Sequence, residues 1–330
     1  MKRKTKKLFF ISIFVFILLI ISFSAVSVFH AYSFTHPISN LKPLSPKSMD
    51  LSLKETLAAT ILGVRPEREV GGELPSNYKL KYENVTFESQ DGIKIKGWFI
   101  SAPNAKGTII ITHGWGGNKA GLLEYAEFLN KNKYSAMLFD FRGFGESGGN
   151  YTTLGYYERF DVIGAVDYLK TRNDVDIDKI GGYGFSMGGA ALVMAAKEKN
   201  NFRAIVLDGA YPTIHQNAAR RFNEVYGFPK FPFATSLTFF GGLIHGFNAF
   251  DLAPIKYIDK INTPILFIQG TNDTQVSVDD AYSIYDKAKE PKDILIIENA
   301  IHSKSHQTAP IEYEKRVIDF YNEYVKNHSS

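Results

Sequence analysis

Ile180-Gly181-Gly182-Tyr183-Gly184-Phe185-Ser186-Met187-Gly188-Gly189 decides the fold of this 330-residue chain. The first six residues form a short, uncharged run, and from Met187 to Lys199 no proline interrupts a helix-forming pattern. The spacing predicts a strand over Ile180–Phe185 and a helix over Met187–Lys199, with Ser186 alone between them. A turn that sharp leaves no room for side chains at Gly184 and Gly188. It holds the serine in a strained conformation with its hydroxyl displayed at the start of a helix, where developing negative charge is favoured. A glycine-rich strand-to-helix turn without chemistry has the same letters, so the reading depends on partners elsewhere.

Outward from this turn, strand and helix alternate. Short apolar or alternating runs occupy Tyr82–Phe87, Ile93–Ile100, Thr108–Thr112, Ala136–Asp140, Arg203–Asp208, Pro264–Gln269 and Asp293–Glu298. Asp91-Gly92 marks a hairpin between the first two. Helical patterns fill Gly121–Asn132, Tyr156–Thr171, Val278–Lys289 and Ile311–Lys326. The later strands are nearly all apolar, as in a mostly parallel sheet covered by helices on both faces. Residues 211–260 break the rhythm with eight phenylalanines and no clear strand, which reads as an inserted cap. No internal repeat is visible.

A serine hydroxyl needs a base. With the nucleophile on such a turn, the expected chain order is serine, acid, histidine. Asp273 follows the Pro264–Gln269 run and His302 follows the Asp293–Glu298 run. Both are therefore expected at carboxyl ends of strands, on the edge that carries Ser186. Asp279 and Asp280 compete with Asp273 but fit the start of the next helix. His306 competes with His302 and fits the approach to the last helix, while His215 and His245 fall in the cap. Donors for an oxyanion are expected from the amides of Met187 and Trp115, the latter in the loop His113-Gly114-Trp115-Gly116-Gly117, whose glycines let the backbone approach a substrate. His113 reads as a brace for that loop.

These stretches, together with Phe139-Asp140-Phe141-Arg142-Gly143-Phe144-Gly145-Glu146-Ser147, resemble the α/β-hydrolase superfamily. In particular they are similar to its serine-aminopeptidase-like and BEM46-like branch. The similarity covers roughly Tyr78 to Tyr324. It implies an eight-stranded, mostly parallel sheet, a Ser186–His302–Asp273 triad and an internal brace at Asp140 and Arg142. It leaves the substrate open. Ile301 departs from the small residue that often precedes the histidine.

Leu8–Phe29 contains no charge and follows Lys2, Arg3, Lys4, Lys6 and Lys7. As a helix it spans about 33 Å, enough for a hydrocarbon core, and the basic cluster favours a cytoplasmic N-terminus. A signal peptide cut at Ala25-x-Ser27, with a secreted product, is the alternative. A linker with a short helix is expected over residues 30–77, and the hydrolase domain over 78–330. The basic cluster accounts for the net charge of +4. The remainder is near neutral, which leaves no footprint for nucleic acid. The absence of cysteine excludes disulfides and a thiol nucleophile.

The sequence thus leads to a membrane-tethered, monomeric serine hydrolase that acts on small-molecule or lipid esters without metal or cofactor. Amide hydrolysis by a peptidase and a silent surface binding protein are the alternatives.

Overall fold

The structure, a computed structural model, describes residues 2–39, 54, 59, 63–226 and 229–326. Eight strands form one sheet in the order β1-β2-β4-β3-β5-β6-β7-β8. They are β1 (Tyr82–Glu88), β2 (Lys94–Ile100), β3 (Thr108–Thr112), β4 (Ser135–Phe139), β5 (Ile180–Phe185), β6 (Ala204–Asp208), β7 (Ile265–Gly270) and β8 (Lys292–Ile297). The hairpin β1–β2 and the pair β2–β4 are antiparallel, and β4 to β8 run parallel. Each expected strand lies within a residue or two of its reading from the sequence, and the α/β-hydrolase architecture is as expected.

Side chains alternate between the two faces of the sheet. On β3, Ile110 packs on one face with helices α3 (Glu158–Lys170), α4 (Met187–Glu198) and α7 (Val278–Lys287), while Ile109 and Ile111 pack on the other with α2 (Leu123–Lys131) and α8 (Pro310–Tyr321). Both faces are therefore dry, which explains the continuous apolar runs of the central strands. The chain between β6 and β7 forms two further helices, α5 (Ile214–Tyr226) and α6 (Thr235–His245).

The N-terminal helix α1 runs from Lys2 to Thr35, beyond Phe29 into the expected linker. The extension has a packing reason. Ala31, Ser33 and Thr35 are buried, and α1 lies along α6, with Phe23 edge-on to Phe233 at 5.5 Å and Ser27 Oγ bonded to Ser236 Oγ at 3.0 Å. Nearer the N-terminus, Leu8 to Ile21 stand exposed. The stretch Thr5–Thr35 is long and apolar enough to cross a membrane. The helix expected near residues 48–62 lies outside the described residues except for Lys54 and Ala59, both helical.

Candidate active site

Ser186 caps α4 with φ 50° and ψ −112°, a left-handed-side conformation that a non-glycine residue adopts only when its surroundings dictate it. The surroundings do so. A Cβ on Gly184 would meet Gly189 N and Cα at 2.6 Å, and one on Gly188 would meet the carbonyl oxygens of Thr112 and His113 at 2.6 and 2.8 Å. Both flanking glycines are thus required by close approach. The Ser186 amide donates to Asp208 O at 2.9 Å, which ties the turn to the end of β6. Among the described residues, the Ser186 hydroxyl has no hydrogen bond, leaving it free to reach a substrate.

Asp273 and His302 come together. Nδ1 of His302 lies 2.7 Å from Oδ2 of Asp273. The other carboxylate oxygen of Asp273 accepts from the amides of Gln275 and Val276 at 2.8 and 2.9 Å, and Gln269 Nε2 donates to Oδ2 at 3.0 Å. Burial alone pushes the Asp273 pKa up. The bond to His302 and the backbone donors outweigh it and hold the group below the ordinary carboxylate range. The imidazole rests on Gly209 (φ +64°), where an added Cβ would stand 3.1 Å from His302 Cε1. Because Gly209 follows Asp208, the same corner carries both the amide contact of Ser186 and the ring of His302.

The His113–Gly117 loop, expected to supply an oxyanion donor, lies against the serine turn, since a Cβ on Gly114 would fall 3.5 Å from Ser186 Cβ. Neither the Trp115 amide nor that of Met187, the first residue of α4, donates to another backbone group among the described residues. His113 is buried. Its Nε2 accepts from the Phe141 amide at 3.0 Å, so Nδ1 carries the proton and donates to Gly114 O at 2.8 Å. Burial lowers its pKa, consistent with a neutral brace. Asp140 accepts from Lys119 and from the Glu146 amide, while Arg142 forks onto Asp161 and Asp91. These charges are mutually satisfied inside the fold.

The rival residues are engaged elsewhere. Asp280 closes a capping box with Ser277 and pairs with Arg220 of α5. His306 pairs with Glu314 at 2.9 Å and stacks on Phe128. His215 contacts Thr238, and His245 contacts Thr35 of α1.

Sequence reasoning missed three groups. Gln269 fixes the Asp273 carboxylate from within β7, bonding Val276 O at 2.8 Å as well. Asp208 ends β6 fully buried. It accepts from Tyr313 at 2.7 Å and from Ser305 at 3.3 Å, and burial pushes its pKa up to about 6. Phe34 of α1 stacks on Trp115 at 4.4 Å, and its carbonyl accepts from the indole N–H at 3.2 Å. For Gln269 and Asp208 a signal existed: each is the polar end of an otherwise apolar strand, where a buried polar group needs a partner.

A family model, the prolyl oligopeptidase family, matches residues 124–328. The chain belongs to that family. YqkD of Bacillus subtilis (strain 168) is 31% identical over 231 residues, covering 69% of this chain and 75% of its own. YfhR of Escherichia coli (strain K12) is 27% identical over 250 residues, covering 72% and 80%. Among solved structures, the Pyrococcus furiosus esterase Pf2001 superposes with a TM-score of 0.68 at 27% identity, covering 79% of this chain and 97% of that one. The protein is thus an α/β hydrolase related to esterases and to prolyl oligopeptidase family members.

Proposed function

We propose that this protein is a membrane-anchored serine hydrolase that cleaves carboxylic esters with apolar acyl groups. The observation that carries the reading is the 2.7 Å His302–Asp273 pair seated on Gly209, the corner that also holds the Ser186 turn. Likeness to an esterase and the branch resemblance of its motifs support the same class.

In this reading Ser186 Oγ attacks the ester carbonyl while His302 Nε2 takes its proton. Asp273 holds the Nδ1–H tautomer and stabilises the imidazolium. The amides of Met187 and Trp115 stabilise the oxyanion. Collapse expels the alcohol, which takes the proton from His302, and leaves an acyl-Ser186. Water, deprotonated by His302, then releases the acid. No step calls for a metal or cofactor.

Peptidase activity is the second reading, favoured by the family match. A series of p-nitrophenyl esters beside aminoacyl-nitroanilides separates the two. The prior test is labelling by a fluorophosphonate probe at pH 7.5. Wild type is expected to label and Ser186→Ala is not, with a loss on the order of 10⁶ in kcat. Unlabelled wild type, or equal labelling of the variant, overturns the hydrolase reading in favour of a silent binding protein.

The anchor reading is supported by the exposed apolar half of α1, and the basic residues at its start favour an orientation with the catalytic domain outside the cytoplasm. Ser27, at the alternative cleavage site, is buried in the middle of a continuous helix and bonded to Ser236, which supports an uncut helix. Protease shaving of intact cells tests the orientation, and a protected domain refutes it.

A further inference from the structure

The twenty residues from Phe231 to Phe250 contain no aspartate, glutamate, lysine or arginine. They hold the approach to α6, α6 itself and the turn after it. Part of this apolar content is used inside the fold, where Leu237, Thr238 and Gly242 are buried. Part is not. Phe231 is 75% exposed, Phe239 54% and Leu243 65%. Phe239 and Leu243 are four residues apart and share one face of the helix. Apolar side chains scattered singly on a surface need no explanation. These three belong to one segment, and that segment runs along α1.

Three contacts fix the alignment. Phe23 meets Phe233, Ser27 meets Ser236 and Thr35 meets His245. The numbers rise together on the two helices, so α6 runs parallel to α1 and its N-terminal end points toward the exposed apolar half of α1. The anchor reading of α1 then sets a depth. Phe23 stands about 22 Å along the helix from Leu8, and a hydrocarbon core of about 30 Å leaves it about 8 Å short of the far boundary. Phe233, in ring contact with Phe23, is held at the same level. By the same measure Ser236 falls near the boundary and His245 about 10 Å outside it.

We propose that the outward face of α6 and the segment before it dock into the lipid leaflet on the side of the catalytic domain, with Phe231 deepest and Leu243 at the headgroups. The proposal rests on the anchor reading and goes beyond it, because the cap adds a second membrane contact that does not cross the bilayer. An interfacial helix buries its apolar face about 5–10 Å into the boundary between headgroups and acyl chains, the depth reached by Phe233. A water-borne protein cannot reach side chains at that level, so lipid is the partner that fits. Lys230, exposed and next to Phe231, is the charge at the deep end, and its long stem lets the ammonium return to the lipid phosphates.

The chain has no cysteine, so each single-cysteine variant of the full protein takes one fluorophore. Phe231→Cys, Phe239→Cys and Leu243→Cys label the face at positions more than half exposed. Phe14→Cys, in the exposed half of α1, reports the anchor. Ile177→Cys, exposed just before β5 and so at the sheet edge opposite Ser186, reports water. Thermal melting checks the fold of each. The labelled proteins, at one chain per lipid nanodisc, meet iodide from the water and nitroxide lipids of graded depth from the bilayer. The label at Phe231 should resist iodide roughly tenfold better than that at Ile177 and be quenched by acyl-chain nitroxide, with Phe239 and Leu243 progressively shallower. If Phe14 lies in lipid while Phe231 and Phe239 meet iodide as readily as Ile177, the docking face is overturned and the anchor stands. A Phe14 label open to iodide overturns the anchor reading and the docking with it. A Leu243 label deeper than that at Phe231 refutes the parallel alignment on which the proposal depends. Protection from iodide that arises only in discs with two chains assigns the face to a second copy and also overturns the lipid contact.

Discussion

Replacing Asp273 by Asn should cost about 10⁴ in kcat, and the hydrogen bonds around it explain why. Oδ1 of Asp273 accepts from two backbone amides, those of Gln275 and Val276. An asparagine must therefore keep its carbonyl oxygen at that position, because its NH₂ group there would face two donors. The NH₂ then occupies the Oδ2 position, which faces Gln269 Nε2 at 3.0 Å and His302 Nδ1 at 2.7 Å. Two donors cannot share that contact, so His302 must present an unprotonated Nδ1 and carry its proton on Nε2. In that tautomer Nε2, the proposed base, can no longer accept the Ser186 proton. A wrong-tautomer penalty of this size corresponds to about 5 kcal/mol of lost transition-state stabilisation. The assay is kcat for p-nitrophenyl butyrate with the full chain at pH 7.5, with thermal melting as a check on folding. Asp280→Asn serves as the control, since Asp280 caps α7 and should leave kcat near wild type. A folded Asp273→Asn enzyme that retains more than a tenth of wild-type kcat would refute the assignment of Asp273 as the residue that sets the tautomer.

Two further outcomes follow from the corner beneath His302. Gly209→Ala places a methyl 3.1 Å from His302 Cε1 in a backbone conformation with φ +64°. It should lower kcat roughly tenfold through a displaced ring and stability by about 1–2 kcal/mol; unchanged kcat alongside a lowered melting temperature would show that the ring does not depend on this contact. Asp208 has a folded pKa raised to about 6 from an ordinary value of 3.8, so the folded state binds the extra proton. Its ionisation therefore costs stability as pH rises from about 4 to about 6, and the cost persists above that window. Asp208→Asn keeps an acceptor for Tyr313 and should raise the free energy of unfolding at pH 7.5, by up to about 3 kcal/mol, but not at pH 4, as followed by melting at the two pH values. A variant less stable than wild type at pH 7.5 would mean that the charge is used.

The sheet was legible because its information is local. Each central strand is a short apolar run closed by a turn, and the β5–Ser186–α4 junction is written in consecutive residues. Asp273 and His302 were legible for a related reason: both sit in loops just past strands, so topology alone carries them to one edge. Gln269 and Asp208 were harder. Their roles come from partners such as Val276 and Tyr313, whose approach depends on the final packing. The cap helices escaped notice because α6 is apolar on both faces, with Leu237 turned inward and Phe239 and Leu243 outward, which blurs the 3.6-residue period that marks an amphipathic helix. The docking of α1 was invisible for a similar reason. An apolar helix bound for a bilayer and one that packs on protein have the same composition, and only the burial of Ser27, Ala31, Ser33 and Thr35 separates the two ends.

That division within α1 bears on where the chemistry takes place. From Leu8 to Val26 the helix rises about 28 Å, close to the roughly 30 Å of a hydrocarbon core. Contact with the cap begins within that stretch, where Phe23 packs on Phe233, and the next turns, Ser27 to Thr35, touch Ser236, His245 and Trp115. In the proposed orientation no spacer separates the bilayer from the catalytic domain: the residue that leaves the lipid and the residue that packs on the cap are neighbours in one helix. A flexible tether would let the active site sample bulk water at any distance up to its length. A continuous helix instead holds the oxyanion loop, through the Phe34–Trp115 stack, at a fixed height within a few turns of the membrane surface. Under the proposed anchoring and ester-hydrolase reading, Ser186 meets ester carbonyls near the headgroup level, the depth at which the acyl linkages of lipids lie.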